Sequence, residues 1–276
     1  MRRLPVYAWL LLVAVFTTGP FLFLFFTSIE GGDVFKLDTA ADILPNQPSG
    51  EAYRQLWDQM TRPNSPLPLH RFLWNTVIIC SFGVLIELLL TSLAAYPLAR
   101  MDFKGKGVLC VVLLSALMLP AQANMIVNFV TIRYLGLFDT LVAVVLPSAV
   151  SVFGIFLMRQ AYLVIPRELE DAARIDGCND FWIWSRIMVP LSRPALGTLG
   201  LFSFVAHWNS FMWPLIILKT RELYPLPVGL SYMANAFDSE FRLVAAGSVL
   251  SMLPIILLFL VLQRQFVQGI TAGAIK

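Results

Sequence analysis

The sequence predicts an all-α integral membrane protein with six transmembrane helices and a helix-glycine-helix loop on the cytoplasmic side. Three observations carry this. Hydrophobic residues make up 58% of the 276 and charged residues 13%, at a mean hydropathy of +0.75, a balance that excludes a soluble domain. The apolar residues gather in runs near the length of about 20 residues that crosses a bilayer core. One stretch between two of these runs, Ile165 to Pro194, holds the densest charge in the chain and is punctuated by glycine and proline. Residues 1–276 therefore read as a single transmembrane domain.

In chain order, the first run, 7–27, follows Arg2 and Arg3. It is longer than the apolar region of a secretory signal and no small-x-small cleavage site closes it, so it reads as an uncleaved span with a cytoplasmic N-terminus. Gly19-Pro20 is expected to kink it. Residues 28–71 carry Pro45, Pro48, Pro63, Pro66 and Pro68 and a slight excess of acids. They are expected to form an external loop with a short helix around Glu51 to Met60. Further spans are expected at 73–96, 107–126, 141–163, 197–218 and 243–263, which returns the C-terminus to the cytoplasm. Twelve of the 20 Lys and Arg fall on the segments assigned inside, a moderate positive-inside bias.

The charged loop, 165–194, has its own local logic. Pro166 has no amide hydrogen to lose and a φ set for a first turn, so a helix is expected from Arg167 to Asp176. Gly177 can take the left-handed conformation that stops it. Leu169, Ala172, Ala173 and Asp176 would share one face. Asn179 or Asp180 would cap a second short helix carrying Phe181, Trp184, Ile187 and Met188 along one side, with Pro190 ending it.

This order of helix, glycine, helix and proline strongly resembles the cytoplasmic loop of permease subunits of ATP-binding-cassette importers. That family reads Glu-Ala-Ala, three residues, Gly, then an Ile shortly before a Pro; here Asp171, Ala172, Ala173 and Gly177 are followed by Ile187 and Pro190. Asp171 departs from the usual Glu, keeping the charge on a shorter arm. The stretches Leu93 to Gly107, Met118 to Thr140, Trp208 to Ile216 and Phe266 to Lys276 look like the maltose-type carbohydrate permeases, and most like the shorter of the two in such importers. The likeness runs from about Arg71 to the last residue.

The resemblance implies binding-protein-dependent import of a carbohydrate, or a related polyol or sugar derivative, across a bacterial or archaeal inner membrane. Glu170, Asp171, Ala172, Ala173, Asp176, Gly177 and Pro190 would couple it to the ATPase. The outer loop from Lys219 to Arg242 would reach the binding protein through Tyr224, Tyr232 and Phe237. The tail from Gln268 is expected to be a flexible strip that enters the ATPase dimer. Implied partners are a second, homologous permease, two ATPase subunits, an extracytoplasmic solute-binding protein and membrane lipid. ATP and Mg would sit on the ATPase, with no cofactor in this chain.

The missing motifs agree with that division of labour. Gly105-Lys106-Gly107 lacks the first glycine and the Ser/Thr of a phosphate-binding loop, and there is no HExxH or GxSxG. Cys80, Cys110 and Cys178 are scattered and, with only His70 and His207, outline neither a disulfide framework nor a metal site. A net charge of +3 gives no argument for nucleic acid.

Two other classes remain open at this point. A secondary transporter would use Glu87, a carboxylate within an apolar span, although such an acid can equally pack against a neighbouring helix. A membrane-embedded enzyme would need a catalytic set that the sequence does not display. For the substrate path, His207, Trp208, Asn209 and Trp213 stand out in the fifth span, because polar groups in hydrocarbon need protein or water partners and Pro214 opens the helix one turn earlier. They would either hydrogen-bond and stack on a sugar or pack against the partner permease.

Overall fold

The computed structural model describes residues 4–31, 44–61, 68–236 and 241–272. Among them the only β pairing is an isolated bridge between Glu30 and Pro48; the other regular elements are helices joined by turns. The helices are α1 (Leu4–Ser28), α2 (Glu51–Thr61), α3 (Leu69–Arg100), α4 (Lys106–Ala116), α5 (Asn124–Tyr134), α6 (Leu141–Val145), α7 (Val152–Val164), α8 (Glu168–Ile175), α9 (Asp180–Ile183), α10 (Val189–Leu191), α11 (Arg193–Trp208), α12 (Met212–Ile217), α13 (Leu226–Ala236) and α14 (Phe241–Ala272).

The first, second and sixth expected spans are the long apolar helices α1, α3 and α14. Counting each bent pair as one span gives at most five among the described residues. The expected third span, 107–126, is not one helix. α4 stops at Ala116, the amides of Leu117, Met118 and Leu119 turn back three residues to Leu114, Ser115 and Ala116, and Pro120 has no amide to continue the ladder. α5 then begins afresh at Asn124, still inside the expected span, and runs past its end to Tyr134.

The fourth span is broken as well. α6 ends in a tight turn around Pro147, Ser151 caps α7 by accepting from the Gly154 amide at 3.1 Å, and the two pieces meet at 49°. The fifth, expected at 197–218, starts earlier, at Arg193, and its first helix ends at Trp208. Asn209 sits in the bridge region (φ −90°, ψ 6°), and α12 resumes with Pro214 in its first turn, where a missing amide costs nothing. Helix α2 falls where the external loop was expected to hold one. Within the outer loop 219–242, Leu226–Ala236 form the helix α13, and α14 continues through Gln268–Ala272, where a flexible strip was expected.

Packing divides the chain into two units. One comprises Met1–Leu73 with Leu226–Ile256. Its core holds Leu56, Phe72, Val228, Met233, Ala245 and Ala246. Gly229 is needed there, because a Cβ would stand 2.1 Å from the Phe72 ring. Ser28 and Tyr53 share a 2.7 Å hydroxyl contact that ties the end of α1 to α2.

The other unit comprises Trp74–Pro225 with Leu257–Lys276. Tyr96, Met158, Tyr162, Ile183, Met188 and Leu199 are buried at its centre. In this cluster the last turns of α3 meet α7, α8 and the segment after Asp180.

Candidate functional site

The charged loop is built from local rules and fastened to α3. α8 ends in a Schellman motif: Cys178 N–H reaches the Ala173 carbonyl (2.9 Å), Gly177 N–H reaches that of Arg174 (3.1 Å), and Gly177 has φ +83°. Asn179 caps α9, its side chain accepting from Trp182 N–H at 2.8 Å. The second helix differs from expectation. Trp184–Met188 form a π-turn whose extra residue per turn shifts the register, so the buried side is Ile183, Trp184 and Met188, while Phe181 is exposed. Pro190 lies inside α10, and the chain turns at Ser192, where the segments on either side meet at 82°.

α8 presents two faces. Glu170 and Ala173 point inward and are buried; Asp171, Ala172, Asp176 and Gly177 are exposed, as are Leu169 and Ile175 (86%). Ala173 therefore does not share the outer face expected for it with Leu169, Ala172 and Asp176. Glu170 meets Arg100, the last residue of α3: Nε and Oε1 stand 2.7 Å apart, with the side chains 3% and 7% exposed. The N–H is not aimed squarely at the oxygen, so the contact is a charge pair more than a straight hydrogen bond. Arg100 also donates through Nη2 to the carbonyls of Tyr162 (2.6 Å) and Ile165. Arg174 pairs with Asp180, and that charge-assisted bond holds the guanidinium above its ordinary pKa. The Tyr96 hydroxyl lies 3.5 Å from the same Asp180 carboxylate.

Between the helices of the same unit lies a cavity of about 360 Å³, lined by Glu87, Asn128, Ser148, Ser210, His207 and Trp213 among others. His207 Nδ1 stands 2.8 Å from the Ser203 carbonyl, which can only accept, so Nδ1 carries a hydrogen. Nε2 faces the Ser148 hydroxyl at 3.1 Å. Ser203 Oγ donates to Glu87 Oε2 at 2.6 Å, and the same carboxylate oxygen is 3.8 Å from Nδ1. Gly83 makes room for the imidazole: a Cβ there would meet the ring at 2.4 Å. Trp213 Nε1 donates to the Ala143 carbonyl at 3.0 Å, which fixes the indole at the wall. Hydroxyls, an amide, an imidazole, a carboxylate and an indole form a lining suited to a polar, hydroxyl-bearing solute.

His207 and Trp213 reach this cavity; the other two residues of the proposed path do not line it. Trp208 is buried against Phe204, with ring centroids 5.4 Å apart and planes 20° from parallel, and Asn209 is exposed in the break after α11. Of the outer-loop residues, Tyr224 is buried, its carbonyl accepting from Asn75 at 3.1 Å; Tyr232 is half-buried on α13; Phe237 lies outside the described residues.

Sequence reasoning assigned no role to Gly83, Arg100, Ser148, Ser203 or Asp139. A glycine and a carboxylate at i, i+4 in an apolar helix were the legible sign of Gly83 and Glu87. Asp139, at φ 62°, clasps a second loop, its carboxylate accepting from Lys219 N (2.7 Å), Thr220 N (3.0 Å) and Thr220 Oγ1 (2.6 Å). Partial burial works against the charged form there, but the Thr220 hydroxyl, the two amides and the Lys219 charge outweigh it and hold the carboxyl below its usual range.

Broken apolar helices around a polar cavity, with a short jointed loop at one end, define a multi-pass helical permease. The chain belongs to the family of binding-protein-dependent transport system inner membrane components, whose model matches residues 87–272. It is a transport component and not an enzyme, which sets aside the membrane-enzyme alternative, and the family's dependence on a binding protein speaks against an ion-gradient carrier. It is 37% identical over 206 residues to the arabinooligosaccharides transport system permease protein AraQ of Bacillus subtilis (strain 168), covering 75% of this chain and 73% of that protein. It is 37% identical over 203 residues to the lactose transport system permease protein LacG of Rhizobium radiobacter, covering 74% of each. Among solved structures, a bacterial ABC transporter involved in the import of the acidic polysaccharide alginate contains a chain that superposes with a TM-score of 0.81 at 29% identity, over 95% of both chains.

Proposed function

We propose that this chain is the shorter permease subunit of an ATP-driven importer that moves an oligosaccharide or related sugar derivative into the cell. The observation that carries the reading is the likeness, at 37% identity, to permeases named for arabinooligosaccharides and lactose. The geometry of α8 adds to it. Asp171, Ala172, Asp176 and Gly177 leave an exposed, partly apolar face on a loop otherwise tied down from inside, the form a partner's groove accepts. The partner would be a separate ATPase, two copies of which hold ATP and Mg; a second, homologous permease would complete the membrane path.

In this reading Glu170 and Ala173 anchor the coupling loop, and Pro190 lies in the joint behind it. Both termini face the cytoplasm, with α13 on the side of the extracytoplasmic binding protein. Substrate passes the cavity walled by His207 and Trp213. The test is uptake by proteoliposomes holding this chain with its partner subunits, supplied with the binding protein and a panel of lactose, arabinotriose and alginate trisaccharide. Vanadate-sensitive, ATP-dependent accumulation of one of these is expected. Accumulation driven by an ion gradient without ATP would overturn the reading.

A further inference from the structure

We propose that α3, and not the helices joined covalently to the coupling loop, is the element that receives the ATPase stroke, with Arg100 and Tyr96 as the positioning residues that fasten it. The inference rests on the import reading above. The loop's covalent connections are jointed at both ends. On one side Ile165, with an extended backbone (ψ 131°), and Pro166 separate α7 from α8. On the other stand the π-turn at Trp184–Met188 and the 82° bend at Ser192. Such breaks absorb displacement instead of passing it on.

The non-covalent connections to α3 are the stiff ones. Glu170 of α8 is paired with Arg100 in a setting where both side chains are almost wholly buried. Arg100 at the same time holds the carbonyls of Tyr162 and Ile165 across the α7–α8 joint. Tyr96, one turn earlier, approaches Asp180, which Arg174 of α8 also grips. The last turn of α3 is thus gripped from three segments of the loop region. From there α3 runs unbroken past Glu87, about 20 Å away at the helical rise. Glu87 accepts from Ser203 of α11, and Gly83 sits against the His207 ring. A push on Glu170 therefore arrives at the cavity wall through one helix.

The experiment compares sugar molecules imported per ATP hydrolysed in proteoliposomes of the full complex, using whichever of lactose, arabinotriose or alginate trisaccharide the wild type accumulates best. Arg100→Gln is expected to lower this ratio about tenfold, in the range of ordinary coupling energies. The charge-swapped pair Arg100→Glu/Glu170→Arg is expected to recover part of it, and Tyr96→Phe, which removes one hydroxyl only, to lower it a few-fold. If Arg100→Gln does not assemble, Tyr96→Phe decides alone. A merely structural role would reduce the amount of complex and leave the ratio at the wild-type value; that outcome overturns the proposal. Absence of ATP-driven uptake in the wild type would count against the import reading instead.

Discussion

Replacing Gly83 with alanine adds one methyl group at the place where α3 touches His207. An ideal Cβ at Gly83 lies 2.4 Å from both Cδ2 and Nε2 of the ring and 3.1 Å from Cγ. Carbon contacts are comfortable near 3.5 Å, so the ring must retreat by about 1 Å. It has little freedom to do so, because Nδ1 is held by the Ser203 carbonyl at 2.8 Å and Nε2 by Ser148 at 3.1 Å. Overpacking of this kind costs about 1–3 kcal/mol. Loss of the Ser148 bond adds about 1 kcal/mol. The better helix propensity of alanine returns about 0.5–1 kcal/mol. The balance is a destabilisation of about 1–3 kcal/mol, or roughly 2–4 °C in melting temperature per kcal/mol for a chain of this size. Thermal unfolding of the detergent-solubilised complex measures it, with His207→Ala as the second arm of a double-mutant cycle. If Gly83→Ala is as stable as wild type, or costs the same when His207 is already alanine, the packing argument is wrong.

Four further outcomes are expected. Gly177→Val puts a β-branched side chain at φ +83°, where nothing within 4 Å obstructs it and the strain is purely conformational; left-handed backbone costs an ordinary residue about 1–2 kcal/mol. Uptake should fall while membrane insertion survives, and normal uptake would refute the role of the turn. Cys178 is half-buried beside that glycine; a maleimide should label it faster in the free subunit than in the assembled complex, and equal rates would remove it from the interface. The Asp139 clasp depends on a carboxyl held below its usual range. Its stabilisation is therefore complete above the unfolded value of about 4 and lost as pH falls through the lower folded value. Protection from hydrogen exchange at Lys219 and Thr220, taken relative to the intrinsic rate at each pH, should fall on acidification in wild type but be low at every pH in Asp139→Asn; a flat wild-type profile of protection would contradict this. Asn209→Ala, exposed and away from the cavity wall, should leave the sugar concentration for half-maximal uptake unchanged. A severalfold rise would bring Asn209 back into the path.

The uniform apolar runs of α1, α3 and α14 were legible because length and hydropathy alone decide such helices. Of the breaks in the other three spans only the one before Pro214 was foreseen, and proline explains why. Pro20, Pro97 and Pro254 lie inside continuous helices, whereas Pro120 and Pro147 stand at interruptions. One missing amide is a small loss that neighbouring packing can tolerate or exploit, so the residue does not decide by itself. The coupling loop could be read almost to the residue as far as Asn179, since a Schellman turn and an N-cap involve only near neighbours. Its second half went astray at the π-turn, which no local residue announces. The cavity was half-visible: Glu87, His207 and Trp213 were picked out as polar residues in spans, but Gly83 and Ser148 reach His207 from distant segments, and Ser203, one turn before it on α11, has a hydroxyl that passes for a helix-surface group until Glu87 is placed beside it.

Leu169, Ile175, Phe181 and Trp182 give the coupling loop an apolar edge among its charges. Bare in water, such an edge is what chaperones and proteases of the cell's surveillance machinery bind. By the import reading, a copy of this subunit made without its ATPase carries a signal for its own removal, and docking erases the signal. The cellular level of the permease would then follow the supply of its partner without a dedicated regulator. A pulse-chase measurement would find a shorter half-life in cells lacking the ATPase; the same half-life in both would mean that the edge is not read.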